Sequence, residues 1–192
     1  MKEGKVREAV RERAGSRDYK AVKAAMEKMP VLRNLVTSLL KPEVLQPGEF
    51  YDRLARDMME AEDDIIIYSP FTLRPRVMGV LAVIDRSKAQ ATIYTKPVEE
   101  FKGDQMKWQK VNIGEMEKAG VTVKTREKMH EKAVLIDDSV AYFGSLNVLS
   151  RWKEEESGDY MLRYEGPLVS SLIEDFLGTM NGNAEELPNQ GE

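Results

Sequence analysis

The chain has no cysteine and a single histidine, His130, in 192 residues. Without thiols there is no disulfide, no thiolate nucleophile and no zinc–thiolate centre. One imidazole cannot by itself build a clustered-histidine metal site. No apolar run approaches the roughly 20 residues of a membrane-spanning helix. The N-terminus, MKEGKVREAV, lacks the hydrophobic segment of a secretory signal. These absences point to a cytoplasmic protein with no membrane span.

What is present suffices for a folded domain. Hydrophobic residues make up 42% of the chain, an ordinary share for a globular protein. Its 192 residues accommodate one domain of usual size plus an appendage. Charged residues, at 32%, exceed the usual quarter, which fits a heavily solvated surface or a thermophilic source. The charge is uneven. Residues 1–41 hold 11 Lys and Arg against 5 Asp and Glu, a net +6, so the rest carries 18 against 28, a net −10. A basic arm on an acidic body suits a polyanionic partner for the arm, although a solvated helical face gives the same pattern.

Apolar residues recur at helical spacing over residues 5–40, with Gly15-Ser16 and Pro30 as interruptions. We take residues 1–42 as a basic helical arm and KPEVLQPGE (Lys41–Glu49) as a linker. From there the pattern alternates. Helices are expected over Phe50–Ala61, Arg76–Ser87, Gln105–Ala119 and from Pro167 to Met180. Strands are expected at Asp64–Ser69, Ala91–Thr95, Val121–Thr125 and Tyr160–Tyr164, with two more joined by the turn Asp137-Asp138-Ser139. Strands alternating with helices predict an α/β domain with a mixed sheet over residues 47–180. Residues 181–192 read as a disordered tail.

The stretch MHEKAVLIDDSVAYFGSLN, Met129–Asn147, surrounds the lone histidine. Read as a strand, it puts His130 and Lys132 on one face. Asp137 follows, then Gly144, Ser145 and Asn147. The string H-x-K-x4-D-x6-G-S-x-N fixes six positions and would arise by chance at roughly one start point in 10⁷–10⁸. These residue types suit one chemistry. A phosphodiester is an anion, and Lys132 and the Asn147 amide can donate to its non-bridging oxygens and stabilise charge there. Ser145 and the backbone N–H groups after Gly144 are further donors. A neutral imidazole is a competent nucleophile, but a second, protonated imidazole must then supply the leaving oxygen with its proton.

The motif resembles, without gap or substitution, the signature of the phospholipase D superfamily. The flanking SPFTLRPR, YTKP and SLNVLSRW…YMLRYEGP are similar to the phospholipase D-like domains at the C-termini of certain prokaryotic helicases. The resemblance implies a phospholipase D-like mixed β-sheet flanked by helices. It implies a phosphodiesterase acting through a phosphohistidine, without cofactor or metal, on nucleic acid, DNA ahead of RNA. A helicase or helicase domain is the implied partner. In the family two motif copies supply the two imidazoles, within one long chain or from two identical short ones. One copy here implies a homodimer with the site on its two-fold axis. One rival reading is a non-catalytic dimeric module binding nucleic acid or anionic lipid. Another is a lipase or head-group transferase, which usually carries both copies in a longer chain.

The family usually orients its histidine with an acid just downstream of the asparagine. Aligning DYMLRY as the following strand makes that acid Asp159, where relatives commonly carry glutamate, with Glu156 as the alternative. Glu154 and Glu155 read as a solvated loop. Asp137 is expected to be structural, pinning backbone donors at the hairpin turn. Ser69, Lys96 and Arg126 fall at strand C-termini, where α/β domains bind ligands. Of the flanking cations, Lys96, Arg74 and Arg76 suit phosphate contacts, and Ser69, Lys96 and Arg74 complete the substrate-binding set. Trp108 and Trp152 read as core or dimer contacts ahead of base stacking.

Overall fold

The computed structural model describes residues 42–150, 158–166 and 168–182. The basic arm apart from Pro42, the tail beyond Gly182, Trp152 and the acidic residues 154–156 lie outside the described residues. Among the described residues the order is β1 (Glu43–Leu45), α1 (Pro47–Glu60), β2 (Asp64–Tyr68), α2 (Arg74–Ile84) and β3 (Gln90–Thr95). A 3₁₀ turn at Val98–Glu100 precedes α3 (Asp104–Lys118) and β4 (Thr122–Thr125). The chain ends with β5 (Ala133–Ile136), β6 (Val140–Gly144), β7 (Met161–Glu165) and α4 (Val169–Gly182).

The seven strands form one sheet in the order β1-β7-β6-β5-β2-β3-β4. β2, β3 and β4 are parallel, and every other pairing is antiparallel. Alternation assigns the faces. Ile65, Ile67, Val134, Ile136 and Tyr142 join the larger core with Phe50 and Leu54 of α1, Val77 and Leu81 of α2, and Met116 of α3. Tyr68, Leu135 and Ala141 point the other way, packing with Val169 and Ile173 of α4. There the Tyr68 ring stacks on Tyr94, centroids 4.5 Å apart, and meets Phe176 edge-on at 5.1 Å. No helix of the described residues is long and apolar enough to cross a membrane.

Two expectations are corrected. The stretch read as a linker contains β1, which pairs antiparallel with β7, and the start of α1. Pro47 opens that helix, where its missing N–H costs nothing and its fixed φ suits the first turn. His130 and Lys132 do not lie in a strand, because β5 begins only at Ala133. They sit in the loop feeding it.

The mixed topology brings one set of loops to one end of the sheet. β2, β3 and β4 finish there, and antiparallel β5 starts there, Tyr68 facing Ala133. β6 ends and β7 begins at the same place, Gly144 facing Met161. The motif's spacings are therefore strand lengths. Its x4 is β5, all four residues buried, and its x6 is the hairpin turn plus most of β6.

Candidate active site

The His130 loop is tied down from several sides. Met129 is buried in the core beneath α4. Lys128 takes the left-handed conformation (φ 53°), and its N–H donates to the Glu100 carboxylate at 2.5 Å. Glu100 also pairs with Lys96 Nζ at 3.0 Å. These two donors, the Lys128 amide first, hold the Glu100 carboxyl below its ordinary pKa. One carboxylate thus links the end of β3 to the loop carrying His130.

His130 is exposed, and its N–H is held by its neighbour's Glu131 Oε2 at 3.0 Å. Glu131 Oε1 lies 3.6 Å from Arg126 Nη1. Lys132 Nζ donates to the His130 carbonyl at 2.8 Å and lies 3.4 Å from His130 Nδ1. The longer contact is at the outer limit of a hydrogen bond and does not by itself fix the imidazole tautomer. Burial pushes the Lys132 pKa down, and the Lys96 charge pushes it further. The Asp159 and Glu131 carboxylates oppose this without cancelling it. A partly desolvated cation flanked by another cation is prepared to receive an anion.

Ser145 follows β6, and its Oγ donates to Asp159 Oδ1 at 2.9 Å while accepting from the Tyr160 N–H at 3.2 Å. Its own N–H donates to the Tyr160 carbonyl at 3.0 Å. This tight junction explains Gly144. A Cβ there would collide with the Tyr160 carbonyl oxygen and come 2.9 Å from both Cα and Sδ of Met161. Asp159, the acid expected to orient His130, accepts from the Ser145 hydroxyl through its Oδ1. Asn147 ends the motif with its Oδ1 buried and without a hydrogen-bond partner, a polar atom the fold alone leaves unsatisfied.

Asp137 is at the other end of the sheet, roughly 16 Å from Lys132 for five residues at about 3.3 Å each. Its carboxylate accepts from the N–H groups of Glu62, Asp63 and Asp64 at 2.9–3.2 Å. Its own φ is 49°, a left-handed conformation that Asp tolerates better than most residues. Asp137 joins the hairpin turn to the start of β2.

The flanking candidates separate. Ser69 is fully buried, donating to the Phe71 carbonyl at 3.1 Å and accepting from the Leu149 N–H at 3.1 Å. It positions the backbone after the motif. Lys96 is at the site, paired with Glu100 and 5.3 Å from the Phe71 ring centre. Arg74 is exposed on the rim of a neighbouring cleft. The Arg76 guanidinium covers the Tyr51 ring of α1 at 3.8 Å. Trp108, read as a core or dimer contact, is 56% exposed on α3 and lines the same cleft as Arg74. Glu100 and Glu131 escaped the sequence reading, since an acidic residue in a polar loop carries no local signal. Among the described residues no group of three or more His, Cys, Asp or Glu is placed to hold a metal ion.

The family model described as "Cardiolipin synthase, PLD-like domain" matches residues 54–180. Cardiolipin synthase B of Escherichia coli (strain K12) is 32% identical over 69 residues, 34% of this chain and 17% of that protein. The match thus spans about a sixth of that relative's length. NucT from Helicobacter pylori superposes with a TM-score of 0.57 at 16% identity, covering 74% of this chain and 96% of that one. The phospholipase D family member Nuc from Salmonella typhimurium does so with 0.57 at 16%, covering 73% and 93%. At these identities the two structures show a shared fold.

Proposed function

The chain belongs to the phospholipase D-like family, and on that premise we propose that it is a phosphodiesterase acting on nucleic acid, through a phosphohistidine, at a site shared by two copies of the chain. What carries the reading is the gathering of His130, Lys132, Ser145, Asn147 and Asp159 at one end of the sheet, around a lysine whose pKa is depressed.

The ring nitrogen of His130 that lacks a proton attacks phosphorus. An N–P bond forms, the P–O bond to the leaving group breaks, and the imidazolium of the partner's His130 gives that oxygen its proton. The partner's imidazole then takes a proton from water. The water oxygen attacks phosphorus, the N–P bond breaks and the phosphate product departs. Lys132 and Asn147 donate to the non-bridging oxygens in both steps, the part a Lewis acid plays elsewhere. Ser145, held by Asp159, stands at the same edge. The +6 charge of residues 1–41 suits a polyanion, and the resemblance to helicase-attached domains favours nucleic acid among polyanions. Association with a helicase rests on the sequence resemblance alone.

The test is hydrolysis of single- and double-stranded DNA and RNA, and of bis(p-nitrophenyl) phosphate, in EDTA. Turnover in EDTA, lost in His130→Ala, is the expected outcome. Activity that requires added Mg²⁺ or Mn²⁺ refutes the mechanism. Binding without turnover favours a non-catalytic module.

A further inference from the structure

A cleft of about 560 Å³ opens between the β2–α2 connection and α3. Its walls carry two large exposed rings, Phe71 at 41% and Trp108 at 56%. Its floor is polar. Asn112 Nδ2 donates to Thr72 Oγ1 at 2.9 Å, and Thr72 Oγ1 donates to Gln109 Oε1 at 2.6 Å. Gln109 Nε2 then donates to Thr95 Oγ1 and to the Lys96 carbonyl, both at 3.0 Å. Gln109 and Asn112 are 2% and 1% exposed, yet Asn112 Oδ1, at the end of this chain of bonds, has no partner. A buried acceptor without a protein donor is an exception in folded proteins and has room for a donor from outside the chain.

Hydrogen bonds tie the cleft's lining to the residues of the candidate site. The Gln109 amide that organises its floor also holds the backbone of Lys96, whose ammonium lies over Phe71. Ser150 on its wall donates from its N–H to the Asn147 carbonyl at 3.2 Å, and the Leu73 N–H donates to the Leu149 carbonyl at 2.6 Å. Meanwhile the residues after 41 carry a net −10, which weighs against strong binding of a polyanion by this body through charge alone. Contacts to something other than phosphate would add to it.

We infer that this cleft is a nucleobase subsite: the base beside the scissile phosphate leaves its stack, lies against Trp108 and Phe71, and offers an N–H to Asn112 Oδ1. The inference rests on the phosphodiesterase reading and narrows its substrate to nucleic acid with unstacked, single-stranded bases. Every base has a π-face and a donor N–H, so the subsite is tolerant of sequence. An acyl chain would fill the apolar walls but leave the Asn112 oxygen unpaired. Arg74 on the rim is placed for the next phosphate.

Two esters with one leaving group test this: thymidine 5′-(p-nitrophenyl phosphate) and methyl p-nitrophenyl phosphate, which lacks the base. Trp108→Ala removes an exposed ring and opens no core cavity, and Trp108→Leu, apolar but without a π-face, serves as the second variant. Each should raise KM for the nucleotide ester about tenfold, the order of one stacking contact, and leave kcat/KM for the methyl ester unchanged. Equal effects on both esters, or none on either, overturn the subsite while the phosphodiesterase reading stands. Failure of the wild type to hydrolyse either ester refutes that reading instead. Binding then decides the subsite: oligothymidylate should bind about tenfold more weakly to Trp108→Ala, and an abasic oligomer of the same charge equally to both. Trp108→Ala protein that becomes monomeric, or that loses only binding to anionic vesicles, overturns the inference in favour of a dimer or lipid surface.

Discussion

Lys132 carries the electrostatic problem of the site in one side chain. Burial and the Lys96 charge lower its pKa, while Asp159 and Glu131 resist. The sign of the consequence follows. As pH rises, Lys132 loses its proton below the ordinary lysine range near 10.4, and the site then loses its affinity for anions. Sulfate does not titrate in that range, and the His130→Ala protein removes the imidazole from the measurement. Calorimetry with that protein should show sulfate affinity falling at a pH below the ordinary lysine value. Adding Lys132→Arg should carry the affinity through the same window, because a guanidinium stays charged. Affinity that is flat to the ordinary lysine value would separate Lys132 from anion binding.

The β5–β6 hairpin is the element that spaces the motif. Its two ends do different work: Lys132 and Ser145 at one, Asp137 at the other. Asp137 supplies acceptors for three backbone N–H groups at the start of β2. Asp137→Ala should therefore destabilise the fold by about 1–2 kcal/mol, the low end for lost acceptors because these bonds lie near solvent. Urea unfolding measures that loss, and activity per folded molecule should stay near wild type. A variant fully folded but inactive would place Asp137 in the chemistry. At the hairpin's other end, Gly144 sets the distance between β6 and β7, and so the distance from Ser145 to Asp159.

Across the whole molecule, a buried ionic cluster holds that register. Arg163 of β7 donates to both oxygens of Asp57 on α1, at 2.6 and 3.1 Å, and to Glu165 at 2.6 Å. The Tyr142 hydroxyl of β6 donates to Asp57 as well. Burial works against the guanidinium charge, but the Asp57 and Glu165 bonds outweigh it and raise its pKa. Asp57→Ala would leave the buried Tyr142 hydroxyl without its acceptor and Arg163 with the Glu165 and Glu43 carboxylates alone, at a cost of about 1–3 kcal/mol. Guanidinium denaturation measures it, and a loss under 1 kcal/mol would mean that water reaches the pair. The largest scale is the proposed dimer. With each site needing both imidazoles, a mixed dimer of wild-type and His130→Ala chains should be nearly inactive, not half active. Half activity would show that one histidine suffices.

The motif of this chain was legible because its spacings are strand lengths, and strand lengths are local. Ala133–Ile136 is a buried strand wherever its partners lie, and it fixes Lys132 and Asp137 at opposite ends. The helices were legible for the same reason, through apolar periodicity. Tertiary structure decided what depends on register between distant strands and on the partners of loops. β1 is three residues long, too short for a periodicity, and exists by pairing with β7. Asp57 and Arg163 are 106 positions apart, and each alone reads as a surface charge. The loop with His130 takes its shape from Glu100, 28 positions before Lys128. Ser69 turned inward and Trp108 turned outward for one physical reason: a side chain's environment is set by what the fold packs against it, and no neighbour in sequence carries that information.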